Sequence, residues 1–86
     1  AAYPSPGEIN SVVNDPDAVI KNLLDKYADE ALVIDSTDGI SLEFSHWRFN
    51  VRKSNTEPLL RLNVESRGDR KLMEQKTDEL LRVIRA

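Results

Sequence analysis

Side chains suited to binding an anion are concentrated at residues 52–58, where the sequence reads Arg-Lys-Ser-Asn-Thr-Glu-Pro. The guanidinium group of Arg52 presents a planar fork of donors that matches two oxygens of a phosphate group. Ser54 and Thr56 add hydroxyl groups, and Asn55 adds an amide. These residue types, at this spacing, predict an anion-binding turn that carries no nucleophile or general base of its own.

Two further side chains near this turn are candidates for the same site. Arg61 lies in the strand predicted after the turn, so its guanidinium group can approach the same anion as Arg52. Glu57 is able to orient an arginine, although an exposed loop glutamate is the default interpretation. No Gly-x-x-x-x-Gly-Lys motif is present, which excludes a P-loop nucleotide site. The alternative interpretation of residues 52–58 is an ordinary solvated hairpin loop, because such loops consist of polar residues.

The remaining chemically active residues do not predict a second site. His46 is the only histidine and cysteine is absent, so neither a His-rich metal site nor a Ser-His-Asp triad is expected. Asp35 precedes a Ser-Thr-Asp-Gly turn and Asp38 lies within it. Carboxylates in such a turn usually cap the local backbone. The absence of cysteine also excludes a disulfide framework and favours a reducing, cytoplasmic location.

Length and charge limit the classes of function. The chain has 86 residues, 40% of them hydrophobic, which is enough for one small domain with a single core. The net charge of −3 opposes broad attraction to nucleic acid or acidic membranes, so neither partner is expected. The apolar runs are only a few residues long, and they predict no membrane span or signal peptide.

The domain organisation predicted from the sequence is a linker at residues 1–13 followed by a folded domain at residues 14–86. The linker contains Pro4, Pro6 and Gly7 and ends in a brief extended segment. A start at Ala-Ala-Tyr without methionine is typical of a piece taken from a longer chain.

The elements that must position the anion-binding turn are two helices and four strands. Helices are predicted at residues 16–28 and 70–85, and strands at residues 31–35, 40–44, 47–52 and 59–65. Asp15 is the predicted N-cap of the first helix, with Pro16 at the first helical position. The pair Asp38-Gly39 favours a hairpin between the first two strands, because glycine accepts a positive φ.

Alternation along the strands sorts their side chains onto two faces of one sheet. The face predicted to pack against both helices carries Ile40, Leu42, Phe44, Trp47, Phe49, Val51, Leu60, Leu62 and Val64. The opposite, polar face is predicted to carry Ser41, Glu43, Arg48, Asn50, Arg52, Arg61, Asn63 and Glu65. The prediction is therefore an α+β domain with a four-stranded antiparallel sheet and two helices packed on one face.

Residues 52–58, followed by Arg61, resemble the phosphate-binding loop in the C-terminal domain of the α-D-phosphohexomutases. Asn55, at a position where phosphoglucosamine mutases usually have glycine, is similar to the bacterial phosphomannomutase branch. Residues 5–11, 38–40 and 47–52 resemble the same branch. The resemblance extends over nearly the whole chain and implies a four-stranded antiparallel sheet of the TATA-binding-protein-like type.

The same resemblance implies a parent enzyme of four domains. This enzyme interconverts mannose 6-phosphate and mannose 1-phosphate through a bisphosphorylated sugar, in a pathway to GDP-mannose and surface polysaccharide. Its phosphoserine loop, its metal loop and its sugar-recognition loop are expected in the three preceding domains, and Mg²⁺ and a hexose 1,6-bisphosphate activator are expected for the full-length enzyme. This chain alone is therefore expected to be inactive, without catalytic residues, metal ligands or a cofactor. The residues implied to bind the non-transferred substrate phosphate are Arg52, Ser54, Asn55 and Thr56, with Glu57 and Arg61 as weaker supports.

Two alternatives to this assignment stay open at the level of the sequence. The first is a phosphoglucomutase or dual-specificity phosphohexomutase domain, because sugar preference is set by residues outside this chain. The second is a stand-alone α+β interaction module that uses the polar face of the sheet, since fold alone does not define function.

Overall fold

The computed structural model describes residues 7–86, which form one antiparallel sheet and two α-helices. The elements in chain order are β1 (Ile9–Val12), α1 (Pro16–Tyr27), a 3₁₀ turn (Ala28–Glu30), β2 (Val33–Asp35), β3 (Ile40–Glu43), β4 (Trp47–Lys53), β5 (Leu59–Ser66) and α2 (Arg70–Ile84). The strands lie in the order β1-β5-β4-β3-β2, and every neighbouring pair is antiparallel. The predicted α+β class and antiparallel sheet are confirmed.

The prediction of four strands is wrong, because the sheet has five strands within residues 7–86. The additional strand is β1, which was predicted only as a brief extended segment at the end of the linker. It pairs with β5, with Ile9 opposite Leu62 and Val12 opposite Leu59. A strand whose partner is about fifty positions away leaves no local pairing signal, which explains the error. Pro4 and Pro6, on which the predicted linker also depends, lie outside the described residues.

Aspartate caps begin both helices. Asp15 Oδ1 accepts a hydrogen bond from the amide of Ala18 at 3.2 Å, with Pro16 at the start of α1, so the predicted N-cap is confirmed. In α2, Asp69 Oδ1 accepts from the amide of Leu72 at 3.0 Å. Each carboxylate satisfies a backbone donor that has no partner within the helix.

A single hydrophobic core lies between the two helices and one face of the sheet. Its buried side chains are Val13, Leu23, Tyr27, Ile40, Leu42, Trp47, Phe49, Val51, Leu60, Leu62, Val64, Met73, Leu80 and Ile84. The predicted helix-facing side is confirmed, with Phe44 half-buried just beyond β3 and stacked on Trp47 at 4.3 Å between ring centroids. The polar face of the sheet therefore points away from the helices and is available for a binding site.

A hydrogen bond between Tyr27 and Glu79 joins the two helices, with the Tyr27 hydroxyl donating to Glu79 Oε1 at 2.6 Å. Burial, followed by this bond and the charge of Glu79, raises the pKa of Tyr27 above its usual value. The bond lowers the pKa of Glu79, against the opposing effect of burial and with help from Lys76 and Lys26. A lowered carboxyl pKa means that the unfolded state binds the proton more tightly. The bond therefore stabilises the fold above the unfolded carboxyl pKa, and this stabilisation is lost as the pH falls through the folded pKa.

The substitution Tyr27→Phe is expected to lower the free energy of unfolding by about 1 kcal/mol at neutral pH, because it deletes a hydrogen bond to a charged and partly exposed acceptor. The loss should shrink as the pH falls and the Glu79 carboxylate becomes protonated. Urea unfolding at neutral pH and at acid pH measures the difference. Glu74→Gln, on the exposed side of α2, serves as the control. A Tyr27→Phe loss that does not change with pH would contradict the linkage.

Candidate anion-binding site

The loop at residues 54–58 joins β4 to β5 and is closed by backbone hydrogen bonds. The amide of Ser54 donates to the carbonyl of Leu59 at 3.2 Å, and the amide of Val13 donates to the carbonyl of Pro58 at 2.9 Å. Within the loop, the amide of Thr56 donates to Ser54 Oγ at 3.4 Å. The side chains of residues 55–57 are exposed and that of Ser54 is half-buried. The loop is thus tied to the sheet at its base and presents its hydroxyl and amide groups to solvent.

Arg52 and Arg61 are brought together on the polar face of the sheet, where they are direct partners in the β4–β5 register. Like charges directly opposite each other on antiparallel strands repel. The carboxylate of Glu8 lies between them, with Oε2 at 3.3 Å from Arg52 Nη2 and Oε1 at 3.9 Å from Arg61 Nη1. Asp38 Oδ2 lies 3.7 Å from Arg52 Nη1. The Arg52 side chain is nevertheless 41% exposed, so its guanidinium group is accessible to an anion.

Arg61 has one donor with unmet hydrogen-bonding capacity. Its Nε is buried and has no hydrogen-bond partner among the described residues. Buried donors without an acceptor are uncommon because the lost hydration is not replaced. Arg61 therefore adds to the site both a second positive charge and a buried N–H group without an acceptor.

Lys53 points to the other side of the sheet, because successive side chains of a strand alternate in direction. Its Nζ lies 2.8 Å from Oδ1 of Asp17, which is in the first turn of α1. This ion pair connects the end of β4 to α1. Lys53 is therefore not part of the cluster formed by Arg52 and Arg61.

Gly39 allows the backbone of β4 to pass close to the β2–β3 hairpin. It has a φ of +68°, and a Cβ built on it would lie 2.2 Å from the carbonyl oxygen of Val51 and 2.9 Å from Cα of Arg52. The predicted Asp-Gly hairpin is confirmed, and the glycine also makes room for the residue that carries the guanidinium group. The predicted local cap is confirmed for Asp35, whose carboxylate accepts from the amide of Thr37 at 2.8 Å and has its pKa lowered by hydrogen bonds from Thr37.

The rest of the polar face forms two cross-strand rows beside Arg52. In one row, Arg48 pairs with Glu65 at 2.6 Å and with Glu43 at 3.5 Å. The hydrogen bond that Arg48 donates to Glu65 is the main cause that raises the pKa of Arg48. In the other row, Asn50 Nδ2 donates to Ser41 Oγ at 2.9 Å. These rows line an open groove of about 330 Å³, next to one of about 310 Å³ that reaches Arg52. The predicted composition of this face is confirmed.

The outcome for the site residues differs from one residue to another. The structure brings Arg52 and Arg61 together and joins Ser54 to Thr56 by a hydrogen bond, while Asn55 is exposed. Glu57 forms no ion pair in the described part of the chain, and its role as a support stays a prediction. So do the phosphate contacts of the other residues. The contacts of Arg52 with Glu8 and Asp38 were not predicted. Glu8 lies 44 positions before Arg52, and no motif connects the two residues.

This combination defines an α+β domain with a basic, hydroxyl-bearing loop at the exposed face of its sheet. Residues 8–83 match the family model described as phosphoglucomutase/phosphomannomutase, C-terminal domain. The chain therefore belongs to this family and corresponds to its C-terminal domain, which confirms the resemblance stated above.

Individual proteins of known name are also similar to this chain. The chain is 54% identical over 84 residues to the phosphomannomutase of Salmonella typhimurium and, equally, to the phosphomannomutase of Escherichia coli K12. It is 51% identical over 83 residues to a protein of Xanthomonas campestris named phosphohexose mutases. These matches cover 96–98% of this chain but only 18% of each relative, so the chain spans less than a fifth of their length.

Neither a metal cluster nor a membrane helix is found in the described part of the protein. Within residues 7–86 no group of three or more His, Asp or Glu side chains is placed to hold a metal ion. Neither helix in that range has the length and apolar character required to cross a bilayer.

Proposed function

We propose that this chain is the C-terminal domain of a phosphomannomutase and that its β4–β5 loop binds the substrate phosphate that is not transferred. The parent reaction is the interconversion of mannose 6-phosphate and mannose 1-phosphate by phosphoryl transfer through a bisphosphorylated sugar. The observation that carries the proposal is the pairing of Arg52 with Arg61 on the exposed face, beside the loop that bears Ser54, Asn55 and Thr56. The names of the most similar relatives support the choice of reaction.

Charge and geometry support a phosphate at this position. Arg52 can place two parallel N–H groups on two phosphate oxygens, which is the strongest arrangement a single side chain provides. Arg61 supplies a second charge from the opposite strand, and the loop hydroxyls and the Asn55 amide supply neutral donors. A phosphate ester is a dianion near neutral pH, so it offsets the repulsion between the two arginines.

The contribution of such a loop to catalysis is orientation. Holding one phosphate fixes one end of the sugar so that the oxygen at the other end meets the phosphoryl donor in line. The sugar must bind in two orientations during the reaction. A site that contacts only the phosphate serves both orientations, because it grips the same group whichever way the ring faces.

The remaining equipment is assigned to the parts of the parent outside this chain. There we place the phosphoserine loop, the metal loop and the sugar-recognition loop, and we propose that this chain alone is inactive. Mg²⁺ and a hexose 1,6-bisphosphate activator are proposed for the full-length enzyme. The pathway proposed is GDP-mannose and polysaccharide synthesis in the cytoplasm, and the fold is proposed to be of the TATA-binding-protein-like type. A second candidate, a mutase that also accepts glucose phosphates, is favoured by the name of the Xanthomonas relative and by the family description. Assays of the full-length parent with mannose 1-phosphate and glucose 1-phosphate decide between the two.

Titration of the ¹⁵N-labelled chain with mannose 1-phosphate is expected to shift the amide resonances of residues 52–57 before any others. Binding should be weak, with a Kd on the order of millimolar, because most contacts to the sugar are missing. Mannose without phosphate is the matched control ligand and should leave these resonances unchanged. Shifts that are largest around Arg48 and Glu65 would place the site in the groove beside these two residues instead.

A further inference from the structure

Glu8 stands immediately before β1, and its carboxylate lies against the two arginines of the proposed phosphate site. Oε2 accepts a hydrogen bond from Arg52 Nη2 at 3.3 Å, while Oε1 lies 3.9 Å from Arg61 Nη1. Among residues 7–86, Glu8 is the one acidic residue that forms an ion pair with both arginines, since Asp38 pairs with Arg52 alone. The Glu8 side chain is 36% exposed, so it can move away from the arginines without disturbing the core.

A bound phosphate and the Glu8 carboxylate need the same donors. Bidentate binding of a phosphate uses two N–H groups of one guanidinium fork, and in Arg52 the Nη2 end of that fork already donates to Glu8. A phosphate placed on the fork would bring its own negative charge next to the carboxylate, and the two anions would repel. The contact between Glu8 and Arg52 is long for a charge-assisted hydrogen bond and partly exposed, which makes it weak enough to exchange.

The free protein nevertheless needs an anion at this position. Arg52 and Arg61 face each other in register, and a carboxylate between them offsets their repulsion. Glu8 supplies one negative charge to the two arginines, and Asp38 adds a longer contact, at 3.7 Å, with Arg52 alone. A phosphate ester supplies nearly two, so it neutralises the pair more completely than the carboxylate it replaces.

We propose that Glu8 is an internal competitor for the phosphate, which occupies the Arg52–Arg61 pair in the free protein and is displaced when a dianionic phosphate binds. This proposal rests on the proposed function, because it assumes that the phosphate binds at Arg52. It also makes Glu8 a determinant of specificity. A monoanion such as acetate offers no more charge than the carboxylate it would have to replace, whereas a dianion does.

The test is a comparison of phosphate affinity between the wild-type chain and Glu8→Gln, using inorganic phosphate followed by amide resonances of residues 52–57. Glu8→Gln is expected to raise the affinity about two- to fivefold, the range of one partly exposed ion pair. Glu43→Gln is the matched control, because it removes one negative charge from the polar face of the sheet. Glu43 contacts Arg48 and neither of the two arginines of the proposed site. This variant should change the affinity for phosphate by less than about twofold, which is the effect expected from the change in net charge alone.

A second readout follows Glu8 directly. The carboxyl carbon resonance of Glu8 in the wild-type chain is expected to shift during the phosphate titration and to stay in place during a titration with acetate. Weaker binding or unchanged affinity in Glu8→Gln, or an unmoved Glu8 resonance, overturns the competitor role while leaving the proposed function intact. If inorganic phosphate produces no response around Arg52 in any variant, the proposed function itself fails and takes this proposal with it.

Discussion

Replacement of Arg52 with alanine is expected to remove the phosphate response of residues 52–57. The substitution deletes the one side chain of the loop that can form two charge-assisted hydrogen bonds with a phosphate, and it leaves Arg61 as the only cation of the pair. The expected loss of affinity is about 30-fold or more, which takes a millimolar site beyond detection. Arg52→Lys should recover only part of the binding, because an ammonium group keeps the charge and lacks the planar fork.

Arg48→Ala provides the matched control for this experiment. Arg48 lies in the same strand and on the same face as Arg52, and it also sits between two carboxylates, those of Glu43 and Glu65. Both substitutions remove one positive charge from the polar face. If the two variants lose the same amount of affinity, the site is a diffuse basic surface, and the assignment of the phosphate to Arg52 is incorrect.

The substitution Gly39→Ala is expected to destabilise the fold by about 3 kcal/mol or more. The left-handed backbone conformation costs a residue with a side chain about 1–2 kcal/mol. The added Cβ would also lie 2.2 Å from the carbonyl oxygen of Val51, so the β3–β4 pairing must shift to admit it. Urea unfolding followed by circular dichroism measures the loss.

Gly68→Ala separates the two contributions. Gly68 has a φ of +65°, but a Cβ added there meets nothing within 4 Å, so this variant experiences only the conformational cost of about 1–2 kcal/mol. Equal losses in the two variants would show that the close approach of Gly39 to β4 has no energetic weight. Gly39→Ala should also weaken phosphate binding at temperatures where it remains folded, because the displaced backbone includes Cα of Arg52.

Structural features that depend on residues close together in the sequence were predicted correctly. The aspartate at the start of α1, the alternation that divides β3, β4 and β5 into two faces, and the Asp-Gly hairpin each depend on residues a few positions apart. The candidate loop could be proposed from the sequence for a similar reason, because residues 52–58 and Arg61 are close in the chain and carry their chemistry in their side-chain types. Its phosphate contacts stay a prediction.

Features that depend on distant residues were missed. The pairing of β1 with β5 joins positions about fifty apart, and the contact between Glu8 and Arg52 joins positions 44 apart. A single glutamate in a segment rich in proline and glycine resembles any exposed acid, and its partners are defined only when the sheet forms. The basic loop was therefore visible in the sequence, whereas the carboxylates that surround its arginines were not.

The position of β1 at the sheet edge has a consequence for the order of folding. The strands β2 to β5 follow one another through short turns, so their pairing closes only small loops, whereas β1 must close a loop of about fifty residues before it gains any contact with β5. The meander is expected to assemble first and β1 to dock late. The two arginines thus face each other in the nascent sheet before Glu8 arrives, with Asp38 near Arg52 alone, and the Glu8 carboxylate is expected to help draw the first strand into register.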